Sequence, residues 1–259
     1  MAKQKYSFFT RLFDHKMWFY DFVKFTGCLP VIVDLRIKKI IFAKNKKRLL
    51  SGKYIISSNH MSYSDPIIVS NAFWTRRVGF VATQELFQKK IWDIAFRGFG
   101  CIPVDKDNPT LQTFKAVKER LERGHIVCVF PEGQVRRDEN IQSFKSGVVM
   151  MAIMADADIL PVYLVKREKR IHRQKVVIGD KINYKEYVKG PIATMEEIEN
   201  ITRVLQTREK ELEDKYLEMI KEKKKWFIVS VEKIFVNILM KRNFLKSLMS
   251  KQCLSYLLI

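Results

Sequence analysis

Apolar runs of four to seven residues alternate with helix-like segments through the middle of the chain. The runs that resemble β-strands lie at residues 54–57, 78–82, 101–104, 126–130, 159–165 and 175–179. The clearest helix lies between the third and fourth runs: Asn108 is an N-cap residue, Pro109 suits the first helical position, and Gly124 follows its end at Arg123. This alternation predicts an α/β domain with a central, largely parallel sheet flanked by helices.

The N-terminal residues predict an amphipathic helix over residues 6–25 that ends at Gly27 and Pro30. Its apolar face is formed by Phe8, Phe9, Leu12, Phe13, Phe19, Tyr20 and Val23. Lys16 interrupts that face, although a long lysine side chain can extend toward lipid headgroups. Two interpretations stay open: the face contacts a membrane, or it packs against the domain's own core.

The sequence changes character after Gly190 and Pro191. Residues 194–225 are charge-dense with helical spacing and predict a solvated helix, whereas residues 226–239 form a more amphipathic pattern. This C-terminal part would be a second interfacial anchor, a dimer contact or a cover for the core. The predicted organisation is a membrane-associating segment over 1–48, a core domain over 49–190 and a helical extension over 191–259.

Positive charge is concentrated at the two ends of the chain. The net charge is +20 over 259 residues, yet residues 49–220 carry only +4 of it. Residues 1–48 hold 12 basic against 3 acidic side chains, and residues 221–259 hold 9 against 2. Because large apolar and aromatic residues lie among these charges, the ends predict docking on an anionic membrane surface. Nucleic acid is not expected as a partner, since its binders more often place their charge on a folded basic face.

No segment reaches the roughly 18 uncharged apolar residues that a membrane-spanning helix needs. Near the N-terminus, Asp21, Lys24 and Asp34 interrupt the longest candidates, and no secretory leader pattern is present. Four widely spaced cysteines suggest neither a zinc site nor a redox pair. We therefore expect a peripheral or monotopic protein on the cytoplasmic face of the cell membrane, with no transmembrane span and no metal.

The turn after the first predicted strand carries the strongest candidate chemistry. It reads Asn59-His60-Met61-Ser62-Tyr63-Ser64-Asp65-Pro66. A catalytic histidine needs one free ring nitrogen and a partner that fixes the tautomer of the other. His60 and Asp65, five positions apart at a strand's end, can supply both. An isolated pair with this spacing is more often a loop histidine beside a helix-capping aspartate. A catalytic role for His60 therefore needs support from further motifs.

Three further motifs follow in order: Gly100-Cys101-Ile102-Pro103-Val104-Asp105-Lys106, then Phe130-Pro131-Glu132-Gly133, then Ile159-Leu160-Pro161-Val162. Together with the histidine turn they resemble the four motifs of the lysophosphatidic acid acyltransferase family of glycerolipid acyltransferases, N-H-x4-D, G-x-I-x-V-x-R, F-P-E-G-[ST] and V-P-[VI]. The resemblance covers roughly residues 50–165 and identifies 49–190 as an acyltransferase catalytic domain. Lys106 stands where the family usually has arginine, and Gln134 where it usually has serine or threonine.

The resemblance implies transfer of a fatty acyl group from acyl-CoA or acyl carrier protein to the sn-2 hydroxyl of 1-acylglycerol 3-phosphate, forming phosphatidic acid in phospholipid biosynthesis. His60 would be the general base and Asp65 would orient it. The thioester donor is a co-substrate, and no cofactor is expected. The alternatives are a different lysolipid or lipid-amine acceptor, or a noncatalytic membrane-binding protein of the same fold. A covalent route through Ser58, Ser62 or Ser64 is a further alternative to direct attack.

The remaining candidates would bind substrate, and they are Asn59, Lys106, Glu132, Gly133, Arg136, Lys145 and Pro161. Lys106 matches the family's phosphate-binding arginine; lysine keeps the charge but lacks the bidentate fork. Glu132 and Gly133 follow a strand, where loops of parallel sheets build sites. The resemblance implies that Glu132 binds the glycerol backbone or orients the phosphate-binding cation. For Pro161, a proline on an edge strand explains the motif equally well.

Overall fold

A computed structural model describes residues 18–44, 49, 51–105, 109–135, 143–169 and 171–256. The chain divides into two compact units, Met1–Glu213 and Asp214–Ile259. The first unit contains the sheet and the motifs. The second is helical as far as Tyr256 and exposes Trp226 and Phe227. The domain boundaries predicted after residues 48 and 190 stay predictions.

Helices and strands alternate through the first unit, and the last helix begins in the first unit and ends in the second. The helices are α1 (Trp18–Leu35), α2 (Asp65–Ala72), α3 (Lys90–Gly98), α4 (Leu111–Glu122), α5 (Gly147–Ala155) and α6 (Met195–Tyr256). The strands are β1 (Lys38–Ile41), β2 (Tyr54–Ser58), β3 (Val78–Thr83), β4 (Ile102–Val104), β5 (Ile126–Val129), β6 (Asp158–Leu164) and β7 (Lys175–Ile178). Short 3₁₀ turns occupy Gln84–Phe87 and Tyr184–Glu186.

One sheet contains all of these strands, in the order β1-β7-β6-β2-β5-β3-β4. Every neighbouring pair is parallel except β6 and β7, which are antiparallel. The predicted α/β class with a largely parallel sheet is confirmed. Strand β1 was not predicted from the sequence. It lies within the segment that was expected to associate with a membrane, and it forms one edge of the sheet.

Helices cover both faces of the sheet. Alternate residues of a strand point to opposite faces, so Ile55 and Val127 pack in one apolar cluster with α4, α5 and the start of α6. Ile56 and Cys128 pack in the other, with α2 and the end of α1. Near-continuous apolar strands such as Ile126–Val129 follow from this burial on both sides.

The predicted end of the N-terminal helix is wrong, because α1 continues through Gly27 and Pro30 to Leu35. An internal proline removes a backbone hydrogen bond and usually ends or kinks a helix. Here ion pairs to the domain hold both halves of α1: Arg77 donates to Asp21 at 2.6 Å, and Arg167 donates to Asp34 at 2.9 Å. These tertiary contacts outweigh the local preference.

Part of the predicted apolar face of this helix packs on the domain itself. Tyr20 is buried, and its hydroxyl accepts a hydrogen bond from the N–H of Val78 at 3.1 Å. The ring of Phe19 lies 5.5 Å from that of Phe99. The remaining predicted residues at positions 8–16 lie outside the described residues.

The prediction of a solvated helix over 194–225 is wrong for the first turns of α6. Ile201, Leu205 and Leu212 are buried, at spacings that place them on one side of the helix. The dense charges on the other sides concealed this apolar stripe in the sequence. Two polar contacts accompany it: Ser57 donates a hydrogen bond to Glu209 at 2.6 Å, and Tyr163 donates to Glu213 at 2.8 Å.

Among the described residues, no helix contains a stretch that is both apolar and long enough to cross a bilayer. Even α6, which is 62 residues long, carries charged side chains throughout its length.

The Ser57–Glu209 hydrogen bond generates a stability prediction. Ser57→Ala should lower the free energy of unfolding by about 1–3 kcal/mol, because a buried carboxylate oxygen loses its donor. Thr207→Ala on the same helix is the control, since its hydroxyl contacts the Arg203 carbonyl at an exposed position. Urea denaturation measures both variants. Equal midpoints for Ser57→Ala and the wild type would contradict the prediction.

Candidate active site

His60 and Asp65 form a direct contact at the end of β2. Nδ1 of His60 lies 2.9 Å from Oδ2 of Asp65. The same oxygen accepts hydrogen bonds from the backbone N–H of Met61 at 2.6 Å and of Ser62 at 2.8 Å. This contact suits a neutral imidazole that donates from Nδ1 to an ionised carboxylate, an arrangement that would leave Nε2 as the basic nitrogen.

The local sequence explains why the chain turns here. Asp65 begins α2, where an acidic side chain interacts favourably with the positive end of the helix. Pro66 occupies the first turn, where its missing N–H costs no hydrogen bond. The Asp65 N–H donates to the Ser62 carbonyl at 3.0 Å and closes the turn. The side chain of Asp65 is 3% exposed and that of His60 is 16% exposed, so the pair is shielded while the imidazole is still reachable.

An aromatic ring holds the imidazole from one side. Phe130, directly after β5, stacks on His60 with a centroid distance of 4.2 Å and an angle of 17°. Phe80 of β3 continues the stack at 6.4 Å from Phe130. Strands β2, β5 and β3 are neighbours in the sheet. His60 and Phe130 follow the carboxyl ends of β2 and β5, which is the usual place for a site in a parallel sheet, and Phe80 extends the row of rings into β3.

His60 lines a cavity of about 1120 Å³. Most of the wall is apolar, and it includes Phe80, Val81, Leu86, Phe96, Val129, Val135, Val148, Met150 and Met151. Charged side chains on the wall are Asp105 and Lys145. Pockets for small ligands usually measure about 300–1,000 Å³. This cavity is therefore large enough for a substrate with a long apolar part and a charged group.

Comparison with known proteins identifies the family. Residues 39–165, about half of the chain, match the family described as Acyltransferase. The chain belongs to the acyltransferase family. It is 28% identical over 194 residues to the 1-acyl-sn-glycerol-3-phosphate acyltransferase of Bacillus subtilis (strain 168), covering 73% of this chain and 95% of the relative.

Two further matches agree with this assignment. The enzyme of the same name from Streptococcus pneumoniae is 29% identical over 110 residues, covering 42% of this chain and 40% of the relative. The crystal structure of the 1-acyl-sn-glycerophosphate acyltransferase from Thermotoga maritima superposes with a TM-score of 0.51 at 18% identity, covering 80% of this chain and 86% of that one. At this identity the superposition shows a shared fold.

Two predicted substrate-binding residues of this acyltransferase are buried away from the cavity. Asn59 is 1% exposed; its amide donates to the Leu164 carbonyl at 3.0 Å and accepts from the Leu164 N–H at 2.7 Å. The side chain thus fixes the His60 turn to β6. Pro161 is also buried and lies on β6, an internal strand, so the edge-strand explanation is wrong. Its carbonyl accepts a hydrogen bond from Gly179 at 3.0 Å.

The loop after β5 brings other predicted residues to the cavity. Gly133 lines it and has a φ of +69°, a conformation that glycine adopts without strain. Lys145 lies beside Gly133, and its N–H donates to the Pro131 carbonyl at 3.0 Å. Gln134 also lines the cavity. Glu132 is 5% exposed and is not among the lining residues, so its predicted contact with substrate stays a prediction.

Lys106 and Arg136 lie outside the described residues, and their predicted roles stay predictions. Their described neighbours Asp105 and Val135 line the cavity. Among the described residues, no group of three or more histidine, cysteine, aspartate or glutamate side chains could hold a metal ion.

Neither Cys101 and Cys128 nor the serines near His60 present an activated nucleophile. Burial raises the pKa of the Cys101 thiol to about 11, although the charge of Arg120 opposes the shift. Cys128 is fully buried; burial, and then the charges of Glu209 and Asp65, raise the pKa of its thiol well above the ordinary value. The three serines near His60 are not among the cavity-lining residues.

Sequence reasoning missed several residues of this site. Phe130 was noted only as the first residue of a motif, without a role of its own. Its stacking on His60 depends on β2 and β5 being neighbouring strands. Leu86 and Phe96, which form part of the wall, come from a segment outside the four motifs. The signal available for that segment was the amphipathic pattern of α3, in which Lys90, Asp93 and Arg97 recur every three or four residues among apolar side chains.

The raised pKa of Cys101 generates a chemical prediction. Alkylation of Cys101 by iodoacetamide, followed by mass spectrometry of its peptide, should accelerate about a hundredfold between about pH 8 and pH 10, because the thiolate is the reactive form. A small free thiol with a pKa of 9.0 levels off within this range and is the control. A plateau for Cys101 near pH 9 would show that its pKa is not raised.

Proposed function

We propose that this acyltransferase moves a fatty acyl group from an acyl thioester to the sn-2 hydroxyl of 1-acylglycerol 3-phosphate and so forms phosphatidic acid in phospholipid biosynthesis. The observation that carries the proposal is the His60–Asp65 pair at the wall of a large apolar cavity. The names of the relatives support the choice of acceptor.

In the proposed mechanism, His60 Nε2 takes the proton of the acceptor hydroxyl while the oxygen attacks the thioester carbonyl. Asp65 holds Nδ1 and stabilises the imidazolium that forms, as the carboxylate does in a hydrolase triad. The tetrahedral intermediate then expels the thiolate of the donor, which takes the proton from the imidazolium. The sequence of steps needs no acyl-enzyme, in agreement with the raised pKa of the Cys101 and Cys128 thiols.

Phe130 has a defined role in this scheme. The imidazole is bonded on one edge by Asp65 and stacked on one face by Phe130, so its rotation is restricted. A base held in one orientation loses little entropy when the acceptor hydroxyl arrives. Phe130 is thus a positioning residue for the proposed base.

Positive groups support an acceptor that carries a phosphate. Lys145 lies on the cavity wall, and the first turn of α5, from Gly147, follows it there. A helix N-terminus and an ammonium group both favour an anion. Lys106 and Arg136 are proposed to add positive charge at the phosphate. Glu132 is proposed to bind the glycerol backbone or to orient the phosphate-binding cation. The apolar wall would hold the acyl chains of the donor and of the acceptor.

A different lysolipid or lipid amine is the second candidate acceptor. Gln134, where the family usually has a small hydroxyl residue, lines the cavity and would contact the headgroup. The donor is proposed to be acyl-CoA or acyl carrier protein as a co-substrate, with no further cofactor. The site of action is proposed to be the cytoplasmic face of the cell membrane, where the lysophospholipid acceptor resides.

The test of the proposed function is thioester-dependent acylation of radiolabelled 1-oleoylglycerol 3-phosphate in detergent micelles. Wild type should form phosphatidic acid, and His60→Ala should reduce turnover about a thousandfold or more because the general base is lost. His172→Ala, which removes an exposed histidine, should retain wild-type turnover. Near-normal turnover in His60→Ala would contradict the proposed role of His60 as general base. If folded wild type forms no product, 1-acylglycerol 3-phosphate is not its acceptor.

The role proposed for Lys145 makes a separate prediction. Lys145→Ala should raise the KM for 1-acylglycerol 3-phosphate about tenfold, because a charge-assisted contact to the phosphate is lost, while the KM for the thioester changes little. Lys118→Ala, an exposed lysine on α4, is the control. Steady-state kinetics with each substrate varied in turn measures the split. Equal effects on both substrates would remove the phosphate-binding role.

A further inference from the structure

Helix α3 presents large apolar side chains to solvent. Ile91 is 79% exposed, Ile94 is 63% exposed and Trp92 is 54% exposed, and no residue of α3 is buried. Just before the helix, Leu86 is 45% exposed. Soluble proteins rarely expose several large apolar side chains side by side unless that surface binds a partner. We refer to Leu86, Ile91, Trp92 and Ile94 as the α3 patch.

The α3 patch is continuous with the cavity that contains His60. Leu86 belongs to both, since it is exposed and also lines the cavity. The ring of Trp92 stacks on Phe96 at 5.9 Å, and Phe96 lines the cavity. On another part of the wall, Tyr63 is 90% exposed. An apolar path therefore runs from the protein surface to the candidate base.

Basic side chains flank the α3 patch. Lys89 and Lys90 are exposed at the start of α3, and helical spacing places Lys90 on the same side as Asp93 and Arg97. Arg97, near the end of the helix, pairs with Asp93 at 2.6 Å. An exposed helix with isoleucine and tryptophan on one side and lysine on the other has the character of an interfacial helix. Tryptophan in particular favours the level of the lipid headgroups.

We propose that the α3 patch inserts into the outer part of an anionic lipid leaflet and seats the mouth of the cavity on the membrane. This inference rests on the proposed function, because a lysophospholipid acceptor resides in such a leaflet. It differs from the predicted docking through the basic ends of the chain: those ends supply attraction to the surface, whereas α3 sets the position of the cavity. The lipid then passes between leaflet and cavity along Leu86 and Phe96.

The binding test uses vesicles of phosphatidylcholine and phosphatidylglycerol at a ratio of about three to one, a typical anionic surface. Ile91→Glu/Ile94→Glu in the full chain should reduce the vesicle partition coefficient in co-sedimentation about tenfold or more, because two inserted side chains become charged. Ile171→Glu/Ile192→Glu changes two equally exposed isoleucines outside the patch and should stay within about twofold of wild type.

A second measurement reports insertion directly. Lipids brominated on their acyl chains should quench the fluorescence of wild type, and Trp92→Phe should remove a large part of that quenching. Trp74→Phe, which replaces a half-buried tryptophan whose ring centroid lies 4.8 Å from the Lys24 ammonium, is the control and should leave the quenching unchanged. These binding readouts do not depend on turnover, so failure of the proposed acyl transfer would leave them interpretable.

Activity measurements separate the patch from the chemistry. Ile91→Glu/Ile94→Glu should lose about tenfold in turnover of a vesicle-embedded acceptor but keep wild-type turnover of a water-soluble short-chain acceptor. Partition and quenching equal to those of wild type would overturn the inference. Normal vesicle binding combined with selective loss of turnover from acyl carrier protein would also overturn it, by assigning the patch to a protein partner.

Discussion

The candidate site depends on one carboxylate oxygen. Oδ2 of Asp65 gathers the His60 imidazole and the N–H groups of Met61 and Ser62 within 2.6–2.9 Å. Burying a carboxylate is costly unless donors surround it, and hydrogen bonds to a charged group each contribute about 1.5–3 kcal/mol. The same three contacts bend the chain from β2 into α2. Folding of the turn and orientation of the proposed base are therefore one physical event, and a change at Asp65 affects both.

The sequence predicted the features of the site that are local and missed those that depend on strand order. His60 and Asp65 are five positions apart, so their contact could be inferred from a single turn of the chain. The stacking of Phe130 on His60 joins residues seventy positions apart, and it exists because β5 lies beside β2. The same argument applies to Asn59, whose hydrogen bond to Leu164 on the other neighbouring strand could not be read from its motif position.

The predictions for α1 and α6 were wrong where tertiary contacts compete with local sequence preference. Pro30 would end an isolated helix, yet α1 is held by ion pairs on both sides of it. The start of α6 looked solvated because charges surround a narrow apolar stripe, and the sheet buries that stripe. In both segments the decisive interactions come from residues distant in sequence. The α/β class was safer to predict, since near-continuous apolar strands already indicate a sheet covered on both faces.

The cavity and the α3 patch together address a physical problem of lipid chemistry in water. An acyl chain that leaves a bilayer exposes apolar surface at a cost of about 0.8 kcal/mol per methylene. A long chain therefore cannot reach His60 through solvent at a useful rate. The path along Leu86 and Phe96 keeps apolar surface in contact with the chain from leaflet to base. The exposed isoleucines of α3, which are costly for a protein in water alone, then become part of the route by which the substrate arrives.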